Sequence, residues 1–357
     1  MPLRATQQFD VLILGHGLAG CTLARTLLDG GLHVAVIDDS QDNTASRIAA
    51  GLVTPITGPR LAITEHWEEL WPIARDFYGQ FESETGCEMF RERPAIRILA
   101  NADEQAKFKE RMESPEFRFM VNDKPELPKS VLTPHGAFAM QPAGQLDTLR
   151  FLSQGADRLR MEGRLIEARI EPDTDLDLEA DPKLVTIPKL RVRAPRLVDC
   201  RGHASASTSW FNHFGWANAR GEILTAEVPG LSETRSLHRG CWIAHAGGES
   251  YRLGATFDWK NLESAVTDSA RETLLDRARQ ILDLPIHVTG QRAAVRPAIR
   301  DVHPVVGFLR SEPRIGILNG LGSKGVLLAP TLARVLADQL QSGTPIPTHW
   351  SVARWDR

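Results

Sequence analysis

The stretch that decides the fold is Val11-Leu12-Ile13-Leu14-Gly15-His16-Gly17-Leu18-Ala19-Gly20. Its four leading apolar residues, with Phe9 just before them, suit a short strand covered on both faces. The run stops at a GxGxxG turn. It then enters a helical segment with small residues at Ala19 and Ala24 and apolar ones at Leu23 and Leu27, closed by Gly30-Gly31. A second strand, His33 to Ile37, finishes on Asp38, 18 positions after Gly20. Strand, glycine turn, helix, strand and acid within about 30 residues make up the dinucleotide-binding arrangement. Gly15 makes the tight turn, Gly17 lets backbone approach a pyrophosphate, and Gly20 allows helix and strand to pack closely. The helix start at Leu18 and Ala19 offers N–H groups and a positive dipole end to phosphates. Asp38 would accept from a ribose hydroxyl. Asp38 and Asp39 together would repel a 2′-phosphate, which argues against NADP and leaves NAD or FAD.

The chain of 357 residues exceeds the usual span of one hydrophobic core, so two domains are expected. With 42% apolar and 24% charged residues it has the composition of an ordinary globular protein. Forty-two basic residues nearly balance 45 acidic ones, for a net charge of −3. That balance speaks against a nucleic acid or a membrane surface as main partner. Cys21, Cys87, Cys200 and Cys241 lie far apart with no CxxC pair, so neither a zinc site nor a disulfide framework is expected. The first ten residues lack the apolar core of a signal peptide, and no apolar run approaches the roughly 20 residues of a membrane helix. A cytoplasmic location follows as the expectation. The 11 histidines are scattered (His66, His135, His213, His245 and His303 among them), none at metal-ligand spacing, and no metal is expected.

Further along, Leu146 to Met161 has helical spacing and Gly163 closes it. The patterns at 222–228 and 251–257 predict strands, and Ser269 to Leu282 an amphipathic helix. From Glu171 to Asp181 acids occupy every second position, and Lys189, Arg191 and Arg193 alternate soon after. Period-two charge predicts a solvated hairpin across 171–196, acidic strand against basic strand, each pair contributing roughly tenths of a kcal/mol. A second glycine-rich turn stands near the end, at Asn319-Gly320-Leu321-Gly322-Ser323-Lys324-Gly325-Val326, and runs into a helix. Pro330 suits a first helical turn, where an N–H would go unpaired.

Three stretches add to the first turn. They are Ala45-Ser46-Arg47-Ile48-Ala49-Ala50-Gly51, then Arg196 to Gly202, and the final turn preceded by Arg296-Pro297 and by Asp301 to Gly307. With these elements in this order the chain resembles the D-amino-acid oxidase/glycine oxidase family of FAD enzymes. The resemblance spans nearly the whole chain, specific at both ends and loose over 86–145 and 216–290. It looks particularly like the flavin domain of the bifunctional enzyme that modifies wobble uridine in tRNA, without that enzyme's methyltransferase domain. The implied fold is α/β: a Rossmann-type FAD-binding domain with an interleaved antiparallel-sheet substrate domain. Residues 1–85, 145–215 and 290–357 would form the FAD domain, and 86–144 with 216–289 the roof over the flavin.

The implied cofactor is FAD, held without a covalent bond. Gly15, Gly17, Leu18, Ala19, Gly20, Asp38, Asp39, Ser46, Ala49, Ala50, Gly51 and Gly202 would bind it at one end. Gly322, Ser323, Lys324, Gly325 and Val326 would lie under the ring, with the helix start aimed at its pyrimidine edge. The implied activity is oxidation of the C–N bond of a small amine or amino acid by hydride transfer to flavin, as an oxidase or a dehydrogenase. Arg296 would pair with the substrate carboxylate, Lys324 would add charge beside the ring, and His303 lies within the segment next to the flavin. The family's second carboxylate-binding basic residue falls at Ser323, which cannot supply it. That departure leaves room for a larger or secondary amine. The alternatives are removal of a carboxymethyl group from a modified tRNA nucleoside, against which the acidic pI counts, and a flavin- or NAD-binding protein with little turnover. Oligomeric state is left open.

Overall fold

The Val11–Leu14 run lies inside a six-stranded sheet. In the computed structural model, which describes residues 6–263 and 265–355, the order is 165–167, 34–38, 11–14, 196–199, 315–319 and 305–308. The first five strands run parallel, and 305–308 returns antiparallel along 315–319. All four residues of Val11–Leu14 are buried, which is why the segment reads as an unbroken apolar run and not as an alternation. Leu12 and Leu14 share a core with Leu197, Ile315 and Ile317, and with Val185, Ile187, Val192 and Ala194 of a small hairpin layer. By the two-residue period Val11 and Ile13 point to the opposite face. The helices Leu18–Asp29, Thr148–Met161 and Gly325–Ser342 pack together, the first touching both others. Leu14 pairs with Asp199 and Ile37 in adjacent registers. The three loops that follow these strands therefore leave the sheet at one edge, where open α/β sheets take their ligands.

The chain divides into two compact units that alternate along the sequence: 1–47, 148–219 and 295–357 in the first, 48–147 and 220–294 in the second. The second is built on an eight-stranded sheet, ordered 287–296, 219–227, 250–254, 241–247, 237–239, 95–98, 137–140 and 121–122. Helix Asp268–Arg279 covers one face, with Leu274, Leu275 and Ala278 against Leu224, Ala226, Ile243, Tyr251 and Leu253. The sheet is mixed and not purely antiparallel, since 237–239 runs parallel to 95–98. A separate three-stranded sheet joins 52–53, 144–146 and 90–92. Among the described residues no helix is long and apolar enough to cross a membrane.

By contacts the first crossing between the compact units falls at 47/48, and two other expectations, on the acidic run and on Pro330, are corrected. Helix Trp67–Thr85 belongs to the second unit, where Trp71 and Tyr78 pack their rings on Phe90. The other crossings, at 147/148, 219/220 and 294/295, lie three to five residues beyond the expected ones.

The acidic run is not a strand. Its carboxylates hold backbone instead: Asp177 closes a turn on the amides of Glu179 and Ala180 and Asp181 one on that of Lys183, while Asp173 accepts the distant Ser209 amide. Short acidic side chains compete for backbone in this way. The hairpin forms downstream, from Val185–Ile187 and Val192–Ala194, and Lys189 reaches Asp175 at 2.5 Å.

Pro330, finally, is not in a first turn. The helix starts at Gly325, so the proline sits inside it and cannot give the amide that would bond the carbonyl four residues back.

Gly155 decides how closely the 148–161 and 18–29 helices approach. A Cβ there would overlap the Cys21 sulfur, with His16 Nε2 3.5 Å away. Gly155→Ala is expected to lower stability by about 1–3 kcal/mol, the usual cost of overpacking. Adding Cys21→Ala should restore most of the loss. Denaturant unfolding of both singles and the double closes the cycle, and purely additive losses would show that the two helices do not meet there.

Candidate functional site

Gly15 adopts φ +96°, and a Cβ on it would stand 2.9 Å from the Cys200 carbonyl oxygen. A Cβ on Gly20 would strike the carbonyl of Gly15 itself, with Cys200 Cβ next at 3.4 Å. The third glycine thus lets the turn fold onto itself before it lets helix meet strand. Gly17 has an ordinary φ of −79°. Its need is space: a Cβ would come 3.0 Å from Ser46 Oγ. That hydroxyl accepts the Leu18 N–H at 2.9 Å, capping the helix from a segment 28 residues away. The amides of Ala19 and Gly20 follow in the first turn, where no helix carbonyl can reach them. Asp38 is held by two amides, His16 N–H to Oδ1 at 2.7 Å and Ser40 N–H to Oδ2 at 2.9 Å. Each oxygen keeps a lone pair for a hydroxyl. Asp39 is exposed and accepts from Gln41.

The last turn is tied to the same sheet edge by a buried polar chain. Asn319 donates to the Gly202 carbonyl and to Ser205 Oγ, both at 2.9 Å, and accepts the Gly320 amide at 2.8 Å. Ser205 donates to Asp199 at 2.8 Å, and Asp199 receives the Arg201 guanidinium at 2.7 Å. Gly202, Gly320 and Gly322 all have positive φ, at +64°, +75° and +55°. The Gly322 amide donates to the Pro297 carbonyl at 2.8 Å, and Ala298 bridges to Leu321. Arg296 is thereby anchored one residue from the glycine turn. Gly325 opens the final helix, and a Cβ on it would lie 3.3 Å from Leu18 Cδ1. The two helix starts, Leu18 and Gly325, are therefore neighbours. Val326 is buried behind Gly325, Lys324 is half-buried at the cap, and Ser323 is exposed.

Burial pushes the Arg296 guanidinium down to about 10, which leaves it charged at neutral pH. Nearby in sequence, Asp199 is engaged by Arg201 and Asp301 by Arg354 at 2.9 Å. His303 sits in that scaffold: its amide donates to Asp301 and its ring meets His349 edge-on. Among the described residues no group of acids, histidines and cysteines is arranged to hold a metal ion.

Ala49, Ala50 and Gly51 fall in the second unit, held there by their carbonyls. Arg252 donates to Ala49 at 2.8 Å, Gln145 to Ala50 at 3.2 Å, and the Leu146 amide to Gly51 at 2.9 Å. Gly51 has φ +70°, and a Cβ on it would strike the Leu146 carbonyl. Arg252, Gln145 and the Asn319–Ser205–Asp199 chain were not legible in the sequence as site residues. Only Asn319, directly before the second glycine turn, carried a signal. His16 was also passed over. It is buried, its Nε2 meets no hydrogen-bond partner, and desolvation pushes its imidazole down to about 4 against the partial pull of Asp38.

Comparison with known proteins bears on this geometry. A family model described as FAD dependent oxidoreductase matches residues 10–339. The bifunctional protein of tRNA 5-methylaminomethyl-2-thiouridine biosynthesis from Caulobacter vibrioides is 28% identical, over 95% of this chain and 56% of its own length. The chain thus spans about half the length of the bifunctional relatives it matches. Glycine oxidase from Bacillus licheniformis is 23% identical over 96% of both chains. In structure, glycine oxidase from Geobacillus kaustophilus superposes with a TM-score of 0.79 at 17% identity, over 98% of both chains, which shows a shared fold.

His16 makes the turn sensitive to acid. Its folded-state pKa lies below the ordinary 6.5, so the unfolded chain takes up a proton that the folded one refuses as pH falls from 6.5 towards 4. This residue alone should withdraw up to about 3 kcal/mol across that window, and nothing above it. Urea unfolding at pH 7, 6, 5 and 4 should show a shallower loss for His16→Leu than for the native chain. Parallel losses would mean that the imidazole charges freely in the folded protein.

Proposed function

The chain belongs to the family of FAD dependent oxidoreductases, and from that premise we propose that it oxidises the C–N bond of a small amine or amino acid bearing a carboxylate. The observation that carries this is Arg296, a half-buried cation whose neighbour Pro297 accepts the Gly322 amide of the second glycine turn. The residues present fit FAD. A turn that a Cβ at position 17 would crowd, two adjacent helix starts and an acid fixed by two amides suit the pyrophosphate, the ring and the ribose of one cofactor.

In this proposal Gly15, Gly17, Leu18, Ala19 and Gly20 hold the pyrophosphate, and Asp38, with Asp39 beside it, the ribose. Ser46, Ala49, Ala50, Gly51 and Gly202 complete the cradle. Gly322, Ser323, Lys324, Gly325 and Val326 take the ring end, where helix dipole and lysine favour negative charge. The first unit would be the FAD-binding domain and the second the substrate domain. FAD, when bound, accepts a hydride from the carbon next to nitrogen, and the imine so formed is hydrolysed by water.

The chain's own part is orientation and charge. The planar fork of Arg296 gives a carboxylate two parallel charge-assisted hydrogen bonds and so directs the neighbouring Cα–H. No protein base is needed when the amine enters neutral. Four free cysteines accord with a cytoplasmic protein. A second reading is favoured by the likeness to the bifunctional tRNA-modifying relative: removal of a carboxymethyl group from a modified nucleoside, itself a secondary amine with a carboxylate. A tRNA gel shift and its loss at high salt separate the two.

An amine and amino-acid screen, following flavin bleaching without oxygen, tests the proposal, and bleaching by no carboxylate-bearing amine sinks it. Gly17→Val, by crowding Ser46 and the helix cap, should give folded protein with little FAD; full FAD content would remove residues 15–20 from the cofactor site. Arg296→Lys should keep FAD and fold yet weaken carboxylate substrates by about 1.5–3 kcal/mol, the scale of a charged hydrogen bond. Amines without a carboxylate should hardly notice. Equal losses for both kinds of substrate would return Arg296 to the scaffold.

A further inference from the structure

A pyrophosphate is doubly charged, and the first glycine turn holds little positive charge of its own. The start of helix Leu18–Asp29 offers free amides and about half a positive charge. Asp38, bonded to the His16 amide at 2.7 Å, works against it. His16 adds nothing at neutral pH, since burial pushes its imidazole down to about 4. Its Nε2 is buried without a hydrogen-bond partner, beside Gly155 and Cys21. An anion seated on this turn therefore calls for a cation from elsewhere in the first unit.

Arg47 stands where such a cation belongs. It follows Ser46, whose hydroxyl accepts the Leu18 amide at 2.9 Å and lies 3.0 Å from the place of a Cβ on Gly17. Its own amide donates to the Thr44 carbonyl at 3.1 Å, which fixes its backbone in the short helix Ala45–Ile48. Turn, serine and arginine all belong to the first unit. The charged groups that act on the buried His16 ring are Asp38, Arg47 and Arg160, so the field of both arginines reaches the turn. Arg160 is already engaged, by Asp157 and by Glu167 at 3.1 Å each. The half-buried Arg47 guanidinium has neither hydrogen bond nor ion pair among the described residues. A cation that gives up hydration without a counter-charge is left uncompensated until an anion docks.

We propose that Arg47 is the counter-cation of the first glycine turn, donating through its planar fork to the pyrophosphate of bound FAD. The fork suits a phosphate, to which it gives two parallel charge-assisted hydrogen bonds, whereas a lysine would act as a point charge. Arg47 then offsets charge on one side of the anion and the helix start on the other, which leaves Asp38 to the ribose. The anion so held joins helix Ala45–Ile48 to the turn, a second link beside the Ser46–Leu18 hydrogen bond. This rests on residues 15–20 being the pyrophosphate turn.

The test is the flavin released when the holoenzyme is diluted, read by the recovery of FAD fluorescence at low and at high salt. Arg47→Met should raise the FAD dissociation constant about tenfold at low salt, the scale of one charged hydrogen bond. The difference from the native enzyme should shrink at high salt, where screening already weakens the native pair. Arg47→Lys, which keeps the charge and loses the fork, should recover part of the loss together with the salt dependence. The unfolding midpoint of flavin-free Arg47→Met should match that of the flavin-free native chain. An unchanged dissociation constant overturns the proposal. So does a loss that is equal at both salt concentrations, or one matched by a lower flavin-free midpoint, since either marks a structural role. Gly17→Val with full FAD content would remove the turn from the site and this proposal with it. Flavin-poor Gly17→Val beside an unchanged Arg47→Met would remove Arg47 alone.

Discussion

Two helices that begin side by side set the terms for the first unit. Each helix start carries amides that no carbonyl of its own helix can reach, and each carries the positive end of its dipole. Leu18 and Gly325 bring two such ends together, with 3.3 Å between Leu18 Cδ1 and the place of a Cβ on Gly325. A side chain there would press on the end of Leu18. Ser46 satisfies one amide from outside, at 2.9 Å. The rest of the arrangement favours an elongated anionic group, and FAD, whose central pyrophosphate joins an adenosine to an electron-accepting ring, has that shape.

Holding two loops at such a juncture requires polar cross-links where water cannot help. Asn319 serves this purpose, reaching Gly202, Ser205 and Gly320 at once, and Ser205 passes the chain on to Asp199. Every member is buried or nearly so and every one is bonded, the condition under which a buried polar network rigidifies rather than destabilises. Asp199 is buried with the Arg201 guanidinium 2.7 Å from it. Arg296 differs in that burial lowers its guanidinium.

Legibility in the sequence follows how local the cause is. The first turn could be read because its causes are local: Gly15 needs a positive φ, and Gly20 faces the Gly15 carbonyl five residues back. The central strands could be read because burial on both faces leaves an unbroken apolar run. What failed depended on partners the local pattern does not name. Helix Trp67–Thr85 is amphipathic whichever unit it joins, and Phe90 decides the matter. The acids of 171–181 alternate like a strand, yet an aspartate in reach of a free amide two or three residues on will close a turn first. Pro330 was misplaced because the helix start is set by Lys324, whose carbonyl takes the amides of Leu327 and Leu328.

The site divides along the same line. Glycines that cradle a cofactor are required by backbone geometry, and backbone geometry leaves a regular trace. Side chains that recognise a substrate need only the right head group at the right place, and any strand can present one. Arg252 sits in Tyr251-Arg252-Leu253, which reads as a strand. Only the fold shows that its cross-strand neighbours are Thr225 and Ala244 and that its guanidinium donates to the Ala49 carbonyl at 2.8 Å. Such contacts are a property of the folded chain and leave no regular trace in spacing.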